Sequence, residues 1–204
     1  MAGPIRLGIF GGTFDPPHVG HLIVADDAAA ALGLDRVLFV PTGEHPLKGS
    51  RVRTAAEVRL EMVRAATADH ELFEVDGREL RRSGPSYTIE TIEELAGENP
   101  GVELFLLIGS DILGEFDRWH RVDAIAKRAR IAVLTRAEAE FSAPVAVKVE
   151  LLRVEVTSIE ISSSEVRERV ASGRPYRYLV PESVYGIIQE HELYGKAKLK
   201  SARR

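Results

Sequence analysis

The 204-residue chain contains no cysteine, which excludes disulfides, thiolate metal sites and a cysteine nucleophile. It has one tryptophan and two methionines, and aromatics make up 6% of residues. It has no long apolar run: stretches such as Leu104 to Ile108 fall far short of the ~20 residues that a membrane span needs. The opening MAGPIRLGIF is interrupted by Gly11 and Gly12 before it reaches the length of a secretion signal. Basic charge is not in excess either. Lys and Arg number 27 against 31 Asp and Glu, giving a net charge of −4, which speaks against coating nucleic acid by bulk charge. With 17 Gly and 10 Pro the composition is neither collagen-like nor linker-like. These absences set the expectation of a soluble, cytoplasmic protein without membrane or nucleic-acid partners. The hydrophobic share of 45% is enough for a packed core.

Short Val/Ile/Leu-rich runs alternate with helical patterns. Ile5 to Phe10, Arg36 to Val40, Leu72 to Val75, Glu103 to Ile108, Ile131 to Leu134 and Leu151 to Val156 read as strands. Helices are expected over Val19 to Leu32, stopped at Gly33, and over Thr88 to Ala96 and Asp123 to Arg128. Thr54 and Glu57 have capping-box spacing for a helix through Ala66, as do Ser162 and Glu165 for one through Ala171. A last helix is placed from Pro181, as first helical residue, to about His191. Apolar strands without alternation, separated by helices, predict an α/β fold with a Rossmann-like, doubly wound parallel sheet. The expected organisation is a single domain over residues 1–195 with a small C-terminal helical portion, followed by a basic tail at 196–204. In such sheets ligands bind beyond the carboxyl ends of strands, so the segments after Phe10, Val40, Ile108 and Ile161 should converge.

The first of these segments runs Gly11-Gly12-Thr13-Phe14-Asp15-Pro16-Pro17-His18-Val19-Gly20-His21. Two glycines let backbone approach a ligand, and a helix start offers unpaired N–H groups to phosphate. His18 and His21, three residues apart, can both donate to phosphate oxygens. The glycine spacing is neither the GxGxxG dinucleotide fingerprint nor a Walker A loop. A plain turn followed by two surface histidines would explain His-x-Gly-His alone; the full eleven residues between strand and helix are more specific. The segment resembles the HxGH signature of the nucleotidyltransferase superfamily. Ile161-Ser162-Ser163-Ser164-Glu165-Val166-Arg167 is a serine-rich helix start with an arginine one turn inside, again suited to phosphate. It resembles the ISSTxxR element of small adenylyltransferases, with Ser164 in place of threonine.

Those two motifs are shared with phosphopantetheine adenylyltransferases. Gly84-Pro85-Ser86-Tyr87-Thr88-Ile89-Glu90-Thr91 with Glu79 and Arg81 upstream, the stretch Ile108-Gly109-Ser110-Asp111 leading to Trp119, and the ending Tyr178-Leu179-Val180-Pro181 through Leu193-Tyr194 resemble bacterial nicotinate-mononucleotide adenylyltransferases. The loop Glu44-His45-Pro46-Leu47-Lys48 departs from that family's PPHK by shifting the histidine, while its lysine is kept. The resemblance implies transfer of the adenylyl group of ATP to nicotinate mononucleotide, with Mg²⁺ accompanying ATP and no protein metal site. It implies that Gly11, Gly12, Thr13, Phe14, His18, His21, Gly109, Asp111, Ser163, Ser164 and Arg167 bind ATP, with His18, His21 and Arg167 catalytic. Lys48, Tyr87, Thr88 and Trp119 would bind the acceptor, Trp119 by stacking on its pyridine ring. Oligomeric state is left open. Rival readings are an adenylyltransferase for another phosphate acceptor, a non-catalytic nucleotide sensor, and a nucleic-acid binder using Lys196, Lys198, Lys200, Arg203 and Arg204. The last is weaker than a solvated, frayed terminus.

Overall fold

A computed structural model describes residues 3–43, 52–135 and 149–195. The elements run β1 (Arg6–Gly12), α1 (Val19–Leu32), β2 (Arg36–Pro41), α2 (Ala56–Thr67), β3 (Phe73–Val75), α3 (Arg78–Arg81), α4 (Thr88–Glu98) and β4 (Glu103–Gly109). A 3-10 stretch, Ser110–Arg118, leads to α5 (Val122–Ala126), β5 (Ala129–Thr135), β6 (Leu151–Glu155), α6 (Ser163–Ser172) and α7 (Glu182–Glu190). All strand pairs are parallel, in the order β3-β2-β1-β4-β5-β6. This is the doubly wound arrangement, and its order reverses between β1 and β4. The crevice of such a sheet opens there, beyond Gly12 and Gly109.

The four inner strands, β1, β2, β4 and β5, bury both faces, which explains why the sequence shows apolar runs there rather than alternation. Leu7, Ile9, Leu106, Ile108 and Ile131 pack on one side with Ile89 and Ile92 of α4, and with Leu113, Phe116 and Ile125. On the other side Phe10, Phe39, Phe105 and Leu107 meet Ala25, Ala28 and Ala29 of α1. The alanine-rich face lets α1 lie close to the sheet. Gly33 ends that helix in the left-handed conformation, as its position predicts. A third cluster joins Met62 of α2 to Val166, Tyr176, Val184 and Ile188, seating α6 and α7 beside the sheet.

Two terminus readings are corrected. Thr54 does not cap α2: the N-cap is Ala55, without a side-chain cap, and the Thr54 hydroxyl instead donates to the Tyr194 hydroxyl oxygen at 3.0 Å. A partner 140 residues away outcompetes the local bond. Pro181 is the N-cap of α7 rather than its first helical residue. The Ser162 cap holds, its hydroxyl accepting from the Glu165 N–H at 3.1 Å. Among the described residues no helix is long and apolar enough to cross a membrane.

Candidate active site

A cavity of about 640 Å³ opens at the crevice between β1 and β4. Gly11, Gly12 and Thr13 line it from β1, Thr42 from β2, and Gly109, Asp111 and Trp119 from the end of β4. Ser86, Tyr87 and Thr88 at the start of α4 also line it. The segments after Phe10, Val40 and Ile108 thus converge as expected, while the segment after Ile161 does not line the cavity and meets the β1 turn instead. His45 and Lys48 lie outside the described residues.

Gly11 faces open space where a Cβ would be, so its backbone is bare toward the cavity. A Cβ on Gly12 would lie 2.9 Å from the Phe14 ring. Phe14 itself, at φ 49°, turns that ring into the core, where it is 2% exposed against Phe10 and Phe39. It supports the turn from beneath and does not line the cavity.

His18 and His21 stack with ring centroids 3.7 Å apart. The His18 backbone N–H donates to Nδ1 of His21 at 3.1 Å. A neutral imidazole has one donor and one acceptor nitrogen, so this bond places the His21 proton on Nε2. His21 lines the cavity among the aromatic rings of Phe10 and Phe14. His18 lies over Gly20, and its buried Nδ1 has no hydrogen-bond partner among the described residues. Burial lowers the His18 pKa to about 4. Burial and the neighbouring His18 hold His21 well below the usual imidazole range. Both rings are thus neutral near pH 7 and offer N–H donation rather than formal charge.

The sign of the pH effect follows. Below about pH 6.5 the unfolded chain takes up protons that the folded histidines refuse, so stability present above pH 6.5 is lost as pH falls toward 4. His18 alone accounts for about 3 kcal/mol over that window at about 1.4 kcal/mol per pKa unit. We expect His18→Gln to reduce the stability difference between pH 7.5 and pH 5 by about 2 kcal/mol, measured by urea unfolding. An unchanged difference would contradict the burial of a neutral His18.

Two stretches far apart in sequence meet at this turn. The Ser163 hydroxyl donates to the Pro16 carbonyl at 2.8 Å. Nη1 of Arg167 donates to the Asp15 carbonyl at 2.6 Å, and Nη2 donates to the Ser164 hydroxyl at 3.0 Å. These contacts span 147 and 152 residues. Arg167, Ser163 and Ser164 do not line the cavity; they flank the turn that carries the histidines. Two of the five guanidinium N–H groups of Arg167 are used in these bonds, leaving others for an anion.

Trp119 follows the 3-10 stretch, packs on Phe116 with centroids 5.2 Å apart, and also lines the cavity. It is both a core and a cavity residue. Thr88 is the first residue of α4; Tyr87 precedes it as N-cap, and no side chain caps the helix. The Tyr87 ring lies 4.5 Å from that of His120, which also lines the cavity. The Asp111 side chain folds back over Gly109, where a Cβ would come within 2.5 Å of its carboxylate.

Some residues at the site are given no role by the motifs, and Arg59 lies outside them. Arg59, 3% exposed, donates through Nη1 to the carbonyls of Thr13 and Thr42 at 2.7 and 3.0 Å, tying the ends of β1 and β2 together. Burial lowers its pKa, with Asp15, Tyr194 and Glu57 acting the other way. Glu79 in the cavity wall accepts from the Thr91 hydroxyl at 2.9 Å. Burial raises its carboxyl pKa, against the pull of that bond and of Arg82. Ser86 donates to the Glu79 carbonyl at 3.2 Å, which fixes the start of α4.

Residues 9–169 match the model of the cytidylyltransferase-like family. A "Probable nicotinate-nucleotide adenylyltransferase" of Roseiflexus sp. is 43% identical over 195 residues, covering 92% of this chain and 97% of that protein. One of the same name from Geobacillus thermodenitrificans is 42% identical, covering 93% and 86%. Among solved structures, a Plasmodium falciparum nicotinic acid mononucleotide adenylyltransferase complexed with NaAD superposes with a TM-score of 0.72 at 18% identity. It covers 93% of this chain and 97% of that one, and it speaks to the fold.

Proposed function

We propose, from the premise that this chain belongs to the cytidylyltransferase-like family and within it to the nicotinate-nucleotide adenylyltransferases, that it joins ATP and nicotinate mononucleotide into nicotinic acid adenine dinucleotide, releasing pyrophosphate. The observation that carries this is one cavity whose lining joins bare glycine backbone and His21 to an aromatic and helix-start surface formed by Trp119, Tyr87 and Thr88.

An oxygen of the acceptor's 5′-phosphate attacks the α-phosphorus of ATP in line. The new P–O bond forms as the bond from the α-phosphorus to the β-bridging oxygen breaks, and pyrophosphate leaves with that electron pair. The attacking phosphate is already ionised near neutral pH, so no general base is required. Catalysis then rests on positioning and on stabilising charge at the reacting phosphates. His21 Nε2–H is assigned to the α-phosphate and His18 to the neighbouring oxygens. The backbone of Gly11, Gly12 and Thr13, with that of Phe14 beneath them, approaches the nucleotide. Gly109 and Asp111 contact its adenosine part. Ser163, Ser164 and Arg167 hold the β- and γ-oxygens that become pyrophosphate. Lys48 is assigned to the acceptor phosphate.

Trp119 stacks on the pyridine ring with Tyr87 beside it. The uncapped N–H groups at Thr88 receive the nicotinate carboxylate, which favours the acid over the uncharged amide. Mg²⁺ would accompany ATP and neutralise charge on the triphosphate, held mostly by phosphate and water rather than by a protein cage. The reading includes one nucleotidyltransferase domain at 1–195 working in the cytoplasm.

Pyrophosphate release tests this. With ATP and Mg²⁺, nicotinate mononucleotide should be turned over faster than the amide mononucleotide, and phosphopantetheine should not react. Preference for phosphopantetheine, or ATP binding without release, would replace the reading by another transferase or by a sensor. Trp119→Ala should raise KM for nicotinate mononucleotide about 10-fold, a loss typical of one aromatic stacking contact, while KM for ATP stays put. An effect confined to ATP would contradict the stacking role.

A further inference from the structure

We propose that the Tyr194 hydroxyl is a positioning group for the phosphate-gripping turn, holding Asp15 and, through Asp15, the guanidinium of Arg167. This rests on reading the site as one for ATP.

The Tyr194 hydroxyl donates to Asp15 Oδ1 at 2.7 Å across 179 residues of sequence. The second carboxylate oxygen, Oδ2, accepts from the Arg53 backbone N–H at 2.9 Å. The Asp15 carbonyl accepts from Arg167. One residue, 2% exposed, thus receives the segment before α2, the end of the C-terminal helical portion and the start of α6. The Thr54 hydroxyl donates to the Tyr194 oxygen, which leaves the phenol proton directed at Asp15. Burial raises the Tyr194 pKa, so that proton stays in place across the working pH range. Tyr194 also holds φ at 60°, a left-handed conformation uncommon for a side-chain-bearing residue. Such a conformation persists where surrounding contacts over-determine it, and here the hydroxyl bonds act together with packing of the ring on the third apolar cluster.

The consequence is geometric. Asp15 lies between the glycines that bare the backbone and the histidines that meet the phosphates. Its carboxylate is held from the C-terminal side, and its carbonyl holds Arg167 in turn. Loss of the phenol hydroxyl leaves the Tyr194 ring packed on the third apolar cluster. It releases one oxygen of the Asp15 carboxylate, so the turn and the arginine lose their common reference. Misplacement of a phosphate-binding group by a fraction of an ångström is felt in turnover rather than in the affinity of a remote acceptor ring.

Tyr194→Phe keeps the ring and removes only the hydroxyl. We expect its kcat to fall about 10-fold, with KM for nicotinate mononucleotide unchanged, and its affinity for a non-hydrolysable ATP analogue to weaken. Assays are run well below the unfolding midpoint. If kcat and analogue affinity equal those of the wild type while only thermal stability drops, the tyrosine is a staple and the proposal is overturned. Should Tyr194→Phe fail to fold, Thr54→Val removes the hydroxyl that orients the phenol; a smaller fall in kcat supports the proposal and no fall overturns it. If the wild type releases no pyrophosphate, the functional reading fails by itself, and the analogue titration of wild type against Tyr194→Phe still decides this inference.

Discussion

Replacing His21 by alanine should lower kcat by about 10²–10³, the usual cost of removing one preorganised donor to a charged reacting group. The reason lies in the bond from the His18 N–H to His21 Nδ1, which fixes the proton on Nε2 before substrate arrives. The donor is neutral and half-enclosed by aromatic rings, so it is poorly solvated and loses little water on meeting a phosphate. The fold should survive, because α1 is anchored by Ala25, Ala28 and Ala29 rather than by its first turn. Circular dichroism and unfolding check that second half. Near-normal turnover in a folded His21→Ala enzyme would remove the histidine from the chemistry. Because both imidazoles titrate below their ordinary range in the free protein, kcat/KM should show no step from His18 or His21 between pH 6.5 and 8.

Arg167→Ala should reduce kcat/KM for ATP by about 10²-fold or more, the scale on which truncating one partner of a hydrogen-bonded charge pair is felt. KM for nicotinate mononucleotide should remain near the wild-type value, because Trp119, Tyr87 and Thr88 line the cavity whereas Arg167 does not. Arg167→Lys should recover only a small part. A lysine supplies a point charge, whereas the guanidinium can donate to the Asp15 carbonyl, to Ser164 and to a phosphate at once. Steady-state kinetics with each substrate varied in turn separates these cases. Full rescue by lysine would show that charge alone matters and that the hydrogen-bonded placement does not.

The parallel sheet was legible because the strands are buried on both faces, and buried strands are written as apolar runs ended by glycine or proline. Gly11-Gly12 and Gly109 stand where β1 and β4 stop, so the sequence also pointed to the crevice. Helix starts were less legible. Thr54 and Glu57 have capping spacing, but the Thr54 hydroxyl had a better buried partner in Tyr194, which local pattern does not reveal. The same limit hid Arg59 altogether, and it hid the long-range contacts of Asp15 and Glu79, which stand in or beside the quoted motifs. Arg59 looks like any charged residue of an exposed helix face, yet it is buried because two strand-end carbonyls, Thr13 and Thr42, offer it acceptors. Glu79 carries no spacing signal for a hydrogen bond to Thr91 on the following helix. Aromatic function was half-legible: Trp119 packs on Phe116 as a core residue does and still faces the cavity.

The most direct test is a structure of the protein with a non-hydrolysable ATP analogue bound. It should show the triphosphate spanning the β1 turn, with Nε2 of His21 and the guanidinium of Arg167 both within hydrogen-bonding distance of it. A triphosphate reached by only one of these side chains, or bound away from the turn they flank, would contradict the account.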